Sequence, residues 1–275
     1  MLKRNVELQP ALQLTPWRKT AIGTWGSGGD PSVYGQLDVE IGPALEYLES
    51  IRVREGTKIT VTHLVARAVA EVFRKHPEIN CVLRFGRMYP RRNIGIFFQV
   101  ATDRKGRDLS GVTIRSCDQK SLVEISRELT ARTSDIRVHG DRAYARMKGL
   151  IGWLPSLLVR PMIGLSGFLL YSLNLWSPLL GVPRDSFGSA MITSIGSLGL
   201  DTGWVPLVPY ARIPLLVAVG QVQDRPVVRD GALVVAPVLR LGITFDHRYI
   251  DGVHASHMVR TLNRVLHDPS VFDRT

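Results

Sequence analysis

The sequence predicts an α+β fold, or a mixed-sheet α/β fold, on three observations. Strand and helix patterns alternate irregularly along the chain, which argues against a regular βαβ winding. The final third contains three strand patterns followed by one helical pattern. The chain has 275 residues, of which 45% are apolar, so it can bury a sizeable core as one large domain or two small ones.

The first third contains one strand pattern and two helical patterns. Residues 34–40 favour a short strand. Pro43 suits the first turn of a helix, and Gly56 ends that helix because glycine readily takes the left-handed conformation found beyond a helix C-terminus. Thr60 starts a second helix, whose apolar residues recur at the 3.6-residue period until Pro77 stops it by removing a backbone donor.

The remaining elements show why the order is irregular. In chain order, strand patterns cover 82–85, 94–101 and 111–115, a helical pattern covers 121–132, strand patterns cover 190–195, 215–221 and 233–245, and a helical pattern covers 253–266. Several strand patterns follow one another without a helix between them. Strands that follow one another directly pair antiparallel, whereas a parallel pair needs a long crossover connection. The pattern therefore predicts a mixed sheet and not a purely parallel one.

The chain has an excess of basic residues, which is compatible with several classes of binding partner. The formal net charge is +11, and 21% of residues are charged, so wholesale disorder is not expected. The basic residues are scattered, and no basic motif with interleaved aromatic residues occurs, so nucleic-acid binding is not expected. The charge suits an ordinary soluble surface, an anionic substrate, an acidic protein partner or an anionic membrane.

Cysteine usage and the first residues predict a cytoplasmic protein without a metal. Cys81 and Cys117 lie in unrelated contexts, which excludes a disulfide framework and offers no metal-ligand spacing. Two isolated thiols are typical of a reducing compartment. Residues 1–10 contain charges and no apolar segment of the kind found in a signal peptide.

The stretch 149–183 is unusually apolar for a soluble domain. Arg160 is its only charged residue, and its charge-free part exceeds the roughly 20 residues of a membrane span. However, Asn174 and several prolines and glycines would interrupt a spanning helix. Three interpretations follow: an insertion that is buried or covers an interface, a membrane-surface hairpin or wall of an acyl pocket, and a true span.

The strongest chemical signal lies near the C-terminus, where a strand pattern changes into a helical pattern. Residues 246–252 read Asp-His-Arg-Tyr-Ile-Asp-Gly. His247 and Asp251 are thus four residues apart at a position that can hold an imidazole at a fixed angle. An imidazole is a suitable general base near neutral pH. By itself, the pair is also consistent with a core histidine and a helix cap.

This motif and three upstream segments resemble the catalytic domain of the 2-oxoacid dehydrogenase acyltransferases, the core subunits of pyruvate dehydrogenase-type complexes. The resemblance covers about 15–135 and 188–272. It implies an α+β fold like that of chloramphenicol acetyltransferase, with a mixed sheet and flanking helices, as one catalytic domain over 1–275 with the insertion 149–183. The upstream segments are 58–80, which ends in Pro-x-x-Asn, 93–96, which reads Asn-Ile-Gly-Ile, and 192–199, which is similar to the family's Thr-Ile-Ser-Asn-x-Gly.

The resemblance implies a role for each residue of the site. His247 is the general base, and the hydroxyl of Thr193 stabilises the oxyanion of the tetrahedral intermediate. Ser194 takes this role if the alignment shifts by one residue, and both hydroxyls could instead bond to the backbone. Asp251 orients the histidine loop through an arginine, and Gly252 allows a close turn. The candidate arginines are Arg248 and Arg18.

The resemblance also implies partners. Family active sites lie between subunits of a trimer, so we expect a homotrimer, which could assemble further. The expected substrate is acyl-CoA or another carrier thioester, with a thiol or hydroxyl acceptor. The chain resembles a stand-alone variant without lipoyl and subunit-binding domains, so lipoamide would come in trans from another protein. Two alternatives stay open: a catalytically idle scaffold for partner proteins, and a membrane-associated acyltransferase for lipids or secondary metabolites.

Overall fold

A computed structural model describes residues 3–14, 30–101, 109–140 and 152–273, together with residues 19, 147 and 149. The strands of this part are β1 (Lys3–Arg4), β2 (Ser32–Glu40), β3 (Cys81–Arg84), β4 (Arg87–Pro90), β5 (Ile96–Ala101), β6 (Leu109–Ile114), β7 (Leu175–Trp176), β8 (Ala190–Ser194), β9 (Leu215–Val219), β10 (Gln223–Arg229) and β11 (Ala232–Asp246). The α-helices are α1 (Gly42–Glu55), α2 (Val61–Lys75), α3 (Leu122–His139), α4 (Ser156–Gly167) and α5 (Gly252–His267).

A mixed seven-stranded sheet carries the rest of the fold. Its strand order is β10-β11-β9-β8-β5-β6, and β2 also pairs with β11. The β5–β8 and β8–β9 pairs are parallel, and the other pairs are antiparallel. Leu241 of β11 pairs with both Leu37 of β2 and Val219 of β9, so these two strands lie on opposite edges of β11. The expected α+β fold with a mixed sheet is confirmed.

Helices cover one face of the sheet, and a coil covers the other. The buried side chains of α1, α2, α3 and α5 form one cluster with alternate residues of the sheet strands, such as Leu241 of β11. The residues between them, such as Leu216 of β9, pack against Ala211 and Ile213 of the segment that leads into β9. This alternation is the period of two that a sheet buried on both faces requires.

The helix ends follow the local signals closely. Pro43 lies in the first turn of α1, and Gly56 follows its last residue with a φ of +58°. Thr60 is the N-cap of α2. The helix predicted over 121–132 is longer in the structure, since α3 continues to His139. The last two turns of α3 are mostly exposed, so they lack the apolar periodicity on which the prediction relied. The helix ends at Gly140, which is its C-cap.

Two hairpins correct the strand predictions. β10 was not predicted, because its residues are mostly exposed and polar and include Pro226. Asp230 and Gly231 join β10 to β11 and both have a positive φ, as a two-residue hairpin turn requires. Phe85, predicted in a strand, lies in the turn between β3 and β4 with a φ of +47°.

The apolar insertion folds only partly onto the rest of the protein. Leu170 and Tyr171, in a π-helical turn that follows α4, are buried with Val6 and Val82. Asn174 binds the backbone of Val6 through both its side-chain oxygen and its side-chain nitrogen. By contrast, most residues of α4 are exposed. Among the described residues, no helix is both long and apolar enough to cross a membrane.

Candidate active site

His247 occupies a tight turn between the end of β11 and the start of α5. The backbone carbonyl of Asp246 accepts hydrogen bonds from the amides of Tyr249 and Ile250, each at 3.0 Å. The His247 amide donates to the carbonyl of Pro31 at 2.9 Å. The imidazole is half-buried. The backbone on both sides of His247 is therefore held by hydrogen bonds, while its ring keeps access to a ligand.

Arg248 binds Asp246, and the expected pairing of Asp251 with Arg248 or Arg18 stays a prediction. The Asp246 side chain is buried, and its carboxylate accepts from the Arg248 amide at 2.9 Å and from the guanidinium Nη2 at 2.6 Å. An Asp side chain at a turn commonly accepts from the backbone amide two residues further on, which explains the contact with the Arg248 amide. Arg18, the other candidate, lies outside the described residues.

Tyr249 fixes the same turn to the β3–β4 hairpin. Its side chain is 2% exposed, and its hydroxyl accepts a hydrogen bond from the Leu83 amide at 2.9 Å. Burial is the main reason why the pKa of this phenol is raised well above its usual value. The hydroxyl therefore stays neutral. Sequence reasoning missed this anchor, because an aromatic residue in the motif carries no sign of its distant partner.

Asp251 caps α5 and also contacts a histidine. Its carboxylate accepts from the amides of Val253 and His254, each at 3.1 Å. The same oxygen lies 2.7 Å from Nδ1 of His254. His254 Nε2 is in turn 3.8 Å from the carboxylate of Glu78. The interpretation of Asp251 as a helix cap is therefore confirmed. The contacts of the motif with His254 and Glu78 were not predicted from the sequence. Gly252 is the first residue of α5.

Thr193 and Ser194 are the last two residues of β8, in the middle of the sheet. Both are half-buried, and neither hydroxyl makes a hydrogen bond within the described part of the chain. The expectation of a hydroxyl satisfied by the backbone is thus not met there. Because strand residues alternate, Thr193 shares the coil-covered face with Met191, and Ser194 shares the helix-covered face with Ile192. The two hydroxyls therefore point in opposite directions.

One chain does not bring Thr193 and His247 together. Thr193 pairs with Ala218, and Ala218 pairs with Gly242 of β11. His247 lies five residues beyond Gly242. Strand geometry therefore separates the two residues by roughly 17 Å along β11 and about 10 Å across two strand spacings. No side chain spans that gap, so a site that uses both residues needs two copies of the chain.

The described residues offer no obvious metal centre. No group of three or more His, Cys, Asp or Glu side chains within them has a metal-binding arrangement. Cys81 and Cys117 are both buried, and neither forms a disulfide. Burial raises the pKa of the Cys117 thiol to about 12, so this thiol is protonated and a poor nucleophile.

The chain is similar to one well-defined family. The family model described as 2-oxoacid dehydrogenases acyltransferase (catalytic domain) matches residues 26–142 and 185–272. The dihydrolipoyllysine-residue acetyltransferase component of the pyruvate dehydrogenase complex of Bacillus subtilis is 28% identical over 221 residues. That match covers 79% of this chain and 40% of the relative. The chain thus spans less than half the length of this curated relative.

Two solved structures show the same fold. The cubic core of the pyruvate dehydrogenase multienzyme complex has a TM-score of 0.66 at 20% identity, with 94% of this chain and 93% of that chain covered. Chloramphenicol acetyltransferase has a TM-score of 0.55 at 13% identity, with 93% and 99% covered. At these identities the likeness concerns the fold, which is the mixed sheet with flanking helices that the motif led us to expect.

Proposed function

Because the chain belongs to the 2-oxoacid dehydrogenase acyltransferase family, we propose that it transfers an acyl group between a thioester and a thiol or hydroxyl acceptor. The observation that carries this proposal is the held turn around His247. Its backbone is fixed by Asp246 and Pro31, while the imidazole remains half-buried. A general base needs such a fixed position within reach of a bound substrate.

In the proposed reaction, His247 acts twice. The neutral imidazole takes the proton of the acceptor S–H or O–H, and the acceptor sulfur or oxygen attacks the thioester carbonyl carbon. The tetrahedral intermediate then collapses, the C–S bond to the donor breaks, and the protonated imidazole returns its proton to the leaving thiolate. A thiol acceptor needs less help from the base, because a thiol is more acidic than an alcohol.

The oxyanion of that intermediate needs a placed hydrogen-bond donor. We assign this role to the hydroxyl of Thr193, or of Ser194 if the register differs by one residue. Since Thr193 and His247 of one chain lie far apart along the sheet, the hydroxyl would come from a second copy. This separation supports an active site shared between subunits, and the family resemblance suggests that the assembly is a homotrimer.

The remaining site residues support the turn. Asp251 begins α5 as its N-cap and Gly252 is the first helical residue, so the helix start is defined directly after the turn. Arg248 closes the turn onto Asp246. We propose that the whole chain acts as one catalytic domain whose arginines and capped helix keep the His247 ring in a single orientation.

The substrate proposal rests on charge and family. The net charge of +11 favours an anionic thioester such as acyl-CoA, or an acidic carrier domain that presents a lipoyl group in trans. The relatives include components of the pyruvate dehydrogenase complex, so assembly of trimers into a larger core is part of the proposal. The reaction itself needs no metal, since the base and the oxyanion donor are both side chains.

The decisive test is His247→Ala, compared with His267→Ala at the exposed end of α5. Transfer from acetyl-CoA to dihydrolipoamide, and to a simple thiol, is measured as release of free CoA. We expect a loss of at least about a hundredfold for His247→Ala, because general base catalysis contributes about 10² to 10⁴. Undiminished turnover in a folded His247→Ala protein would contradict the assignment.

A further inference from the structure

An exposed apolar face lies where the insertion meets the β3–β4 hairpin. The rings of Phe85 and Phe168 are 6.5 Å apart and nearly perpendicular, although Phe85 is 69% and Phe168 44% exposed. Leu165 stands one helical turn before Phe168 and is 62% exposed. Leu173 and Leu175 continue the surface beyond the π-helical turn. These five residues form the Phe168 face.

A basic cavity adjoins this face. It has a volume of about 550 Å³, and Leu173 and Leu175 of the Phe168 face belong to its lining. Arg4, Arg84 and Arg92 line it as well, together with Tyr89, and its lining contains no acidic residue. The Arg84 guanidinium lies 5.0 Å from the Tyr89 ring centre. Within the described part of the chain, none of the three arginines forms an ion pair.

The charge pattern of the surrounding segment has one sign. Between Asp141 and Asp185 the sequence contains no acidic residue, whereas it contains Arg142, Arg146, Lys148, Arg160 and Arg184. The family model leaves 143–184 unmatched, so four of the five residues of the Phe168 face lie outside the matched residues. Basic residues near exposed Trp and Leu side chains are typical of segments that bind a membrane interface.

We propose that the Phe168 face and the adjoining three-arginine cavity bind the surface of an anionic phospholipid bilayer. Phosphate headgroups would meet Arg4, Arg84 and Arg92, while Phe168 and Leu165 enter the boundary between headgroups and acyl chains. The wide exposure of α4 suits this environment. Trp153, just before the helix, is 82% exposed and Leu157 is 87% exposed. A helix that binds in a protein groove buries one apolar stripe, whereas the exposed apolar side chains here cover a wider surface.

A second copy related by a two-fold axis is a less suitable occupant of the same surface. In a symmetric dimer the same patch of both copies would meet. The unpaired arginines of one copy would then face those of the other, which is unfavourable in a partly desolvated interface. A phospholipid surface supplies negative charge instead. The proposal is independent of the acyl-transfer chemistry, since it involves neither His247 nor Thr193.

Vesicle binding tests this proposal with the full-length chain. Co-sedimentation is measured with phosphatidylcholine vesicles that either contain or lack phosphatidylglycerol, at low and at physiological salt. We expect binding to the anionic vesicles alone, and weaker binding as salt screens the charges. Binding of equal strength to both kinds of vesicle, or to neither, would overturn the proposal.

Matched variants locate the surface. Arg4→Gln with Arg92→Gln should weaken vesicle binding by about tenfold or more, since each basic residue near an anionic surface contributes a several-fold effect. Leu165→Ser with Phe168→Ser should weaken it as strongly. The controls are Arg260→Gln with Arg264→Gln on α5, and Val228→Ser with Val235→Ser on the exposed β10–β11 hairpin. Equal losses in the controls, or dissociation of an oligomer by the Leu165 and Phe168 changes, would overturn it.

Discussion

The guanidinium of Arg248 lies 2.6 Å from the buried carboxylate of Asp246, so the residues on either side of His247 are tied to each other. The same carboxylate also accepts from the Arg248 amide. This arrangement joins the two residues that flank His247 directly. The backbone at His247 is therefore held by its two neighbours in sequence as well as by the hydrogen bond of its own amide to Pro31.

Asp246→Asn should lower kcat more than it changes KM. The amide keeps one acceptor for the Arg248 backbone but loses the charge that holds the guanidinium, so the turn loosens. We expect a fall in kcat of about tenfold and a loss of about 1–3 kcal/mol in the free energy of unfolding. Steady-state kinetics and urea unfolding measure the two effects. Asp224→Asn, on exposed β10, is the control, and unchanged kinetics at Asp246 would exclude a positioning role.

Thr193→Ala and Ser194→Ala should differ sharply, because their hydroxyls lie on opposite faces of the sheet. We expect Thr193→Ala to lower kcat by about 10² to 10³, or about 2.7–4 kcal/mol in transition-state stabilisation. Thr193→Ser, which keeps a hydroxyl, should retain most of the activity. A large loss with Ser194→Ala and none with Thr193→Ala would move the oxyanion donor by one residue.

Two inactive variants should restore each other if the active site is shared between copies. When His247→Ala and Thr193→Ala chains are coexpressed in equal amounts, about one quarter of the interfaces combine an intact histidine with an intact threonine. We expect about that fraction of the wild-type rate in the mixed protein. Chains that are purified separately and mixed without subunit exchange provide the control. No recovery in verified mixed oligomers would place both residues in one chain's site.

Acid should destabilise the protein through His63 before most carboxylates titrate. This residue lies in the first turn of α2, where its Nδ1 accepts from the Thr60 amide at 2.9 Å. Burial lowers the pKa of His63 from 6.5 to about 4. The unfolded chain thus binds a proton more readily than the folded one, and stability falls as pH decreases from about 6.5 towards 4, by roughly 3 kcal/mol at most.

His63→Asn measures this contribution, because its side-chain oxygen can still accept from the Thr60 amide. Urea unfolding between pH 7 and pH 4 should show a weaker pH dependence for His63→Asn than for the wild type. His267→Asn, at an exposed position, should leave the dependence unchanged. The same pH dependence in His63→Asn and the wild type would show that His63 already titrates normally in the folded protein.

Sequence alone anticipated the elements whose signals are local. Pro43, Gly56, Thr60 and Pro77 mark helix ends through backbone geometry and hydrogen bonding within a few residues. β10 was not predicted, because this exposed strand contains mostly polar residues and Pro226 and so lacks the alternation of apolar and polar residues that indicates a strand. Its pairing partner β11 supplies the stabilisation that its own sequence lacks.

The sequence by itself determined the fold class, the family and the identity of the motif around His247, because these depend on residue order and short-range periodicity. Only the tertiary structure decided that Arg248 binds Asp246, that Asp251 contacts His254, and that Thr193 lies far from His247. Such relationships depend on strand register and on which side chains converge in space. A shift of one residue in the register would reverse which hydroxyl faces which side of the sheet.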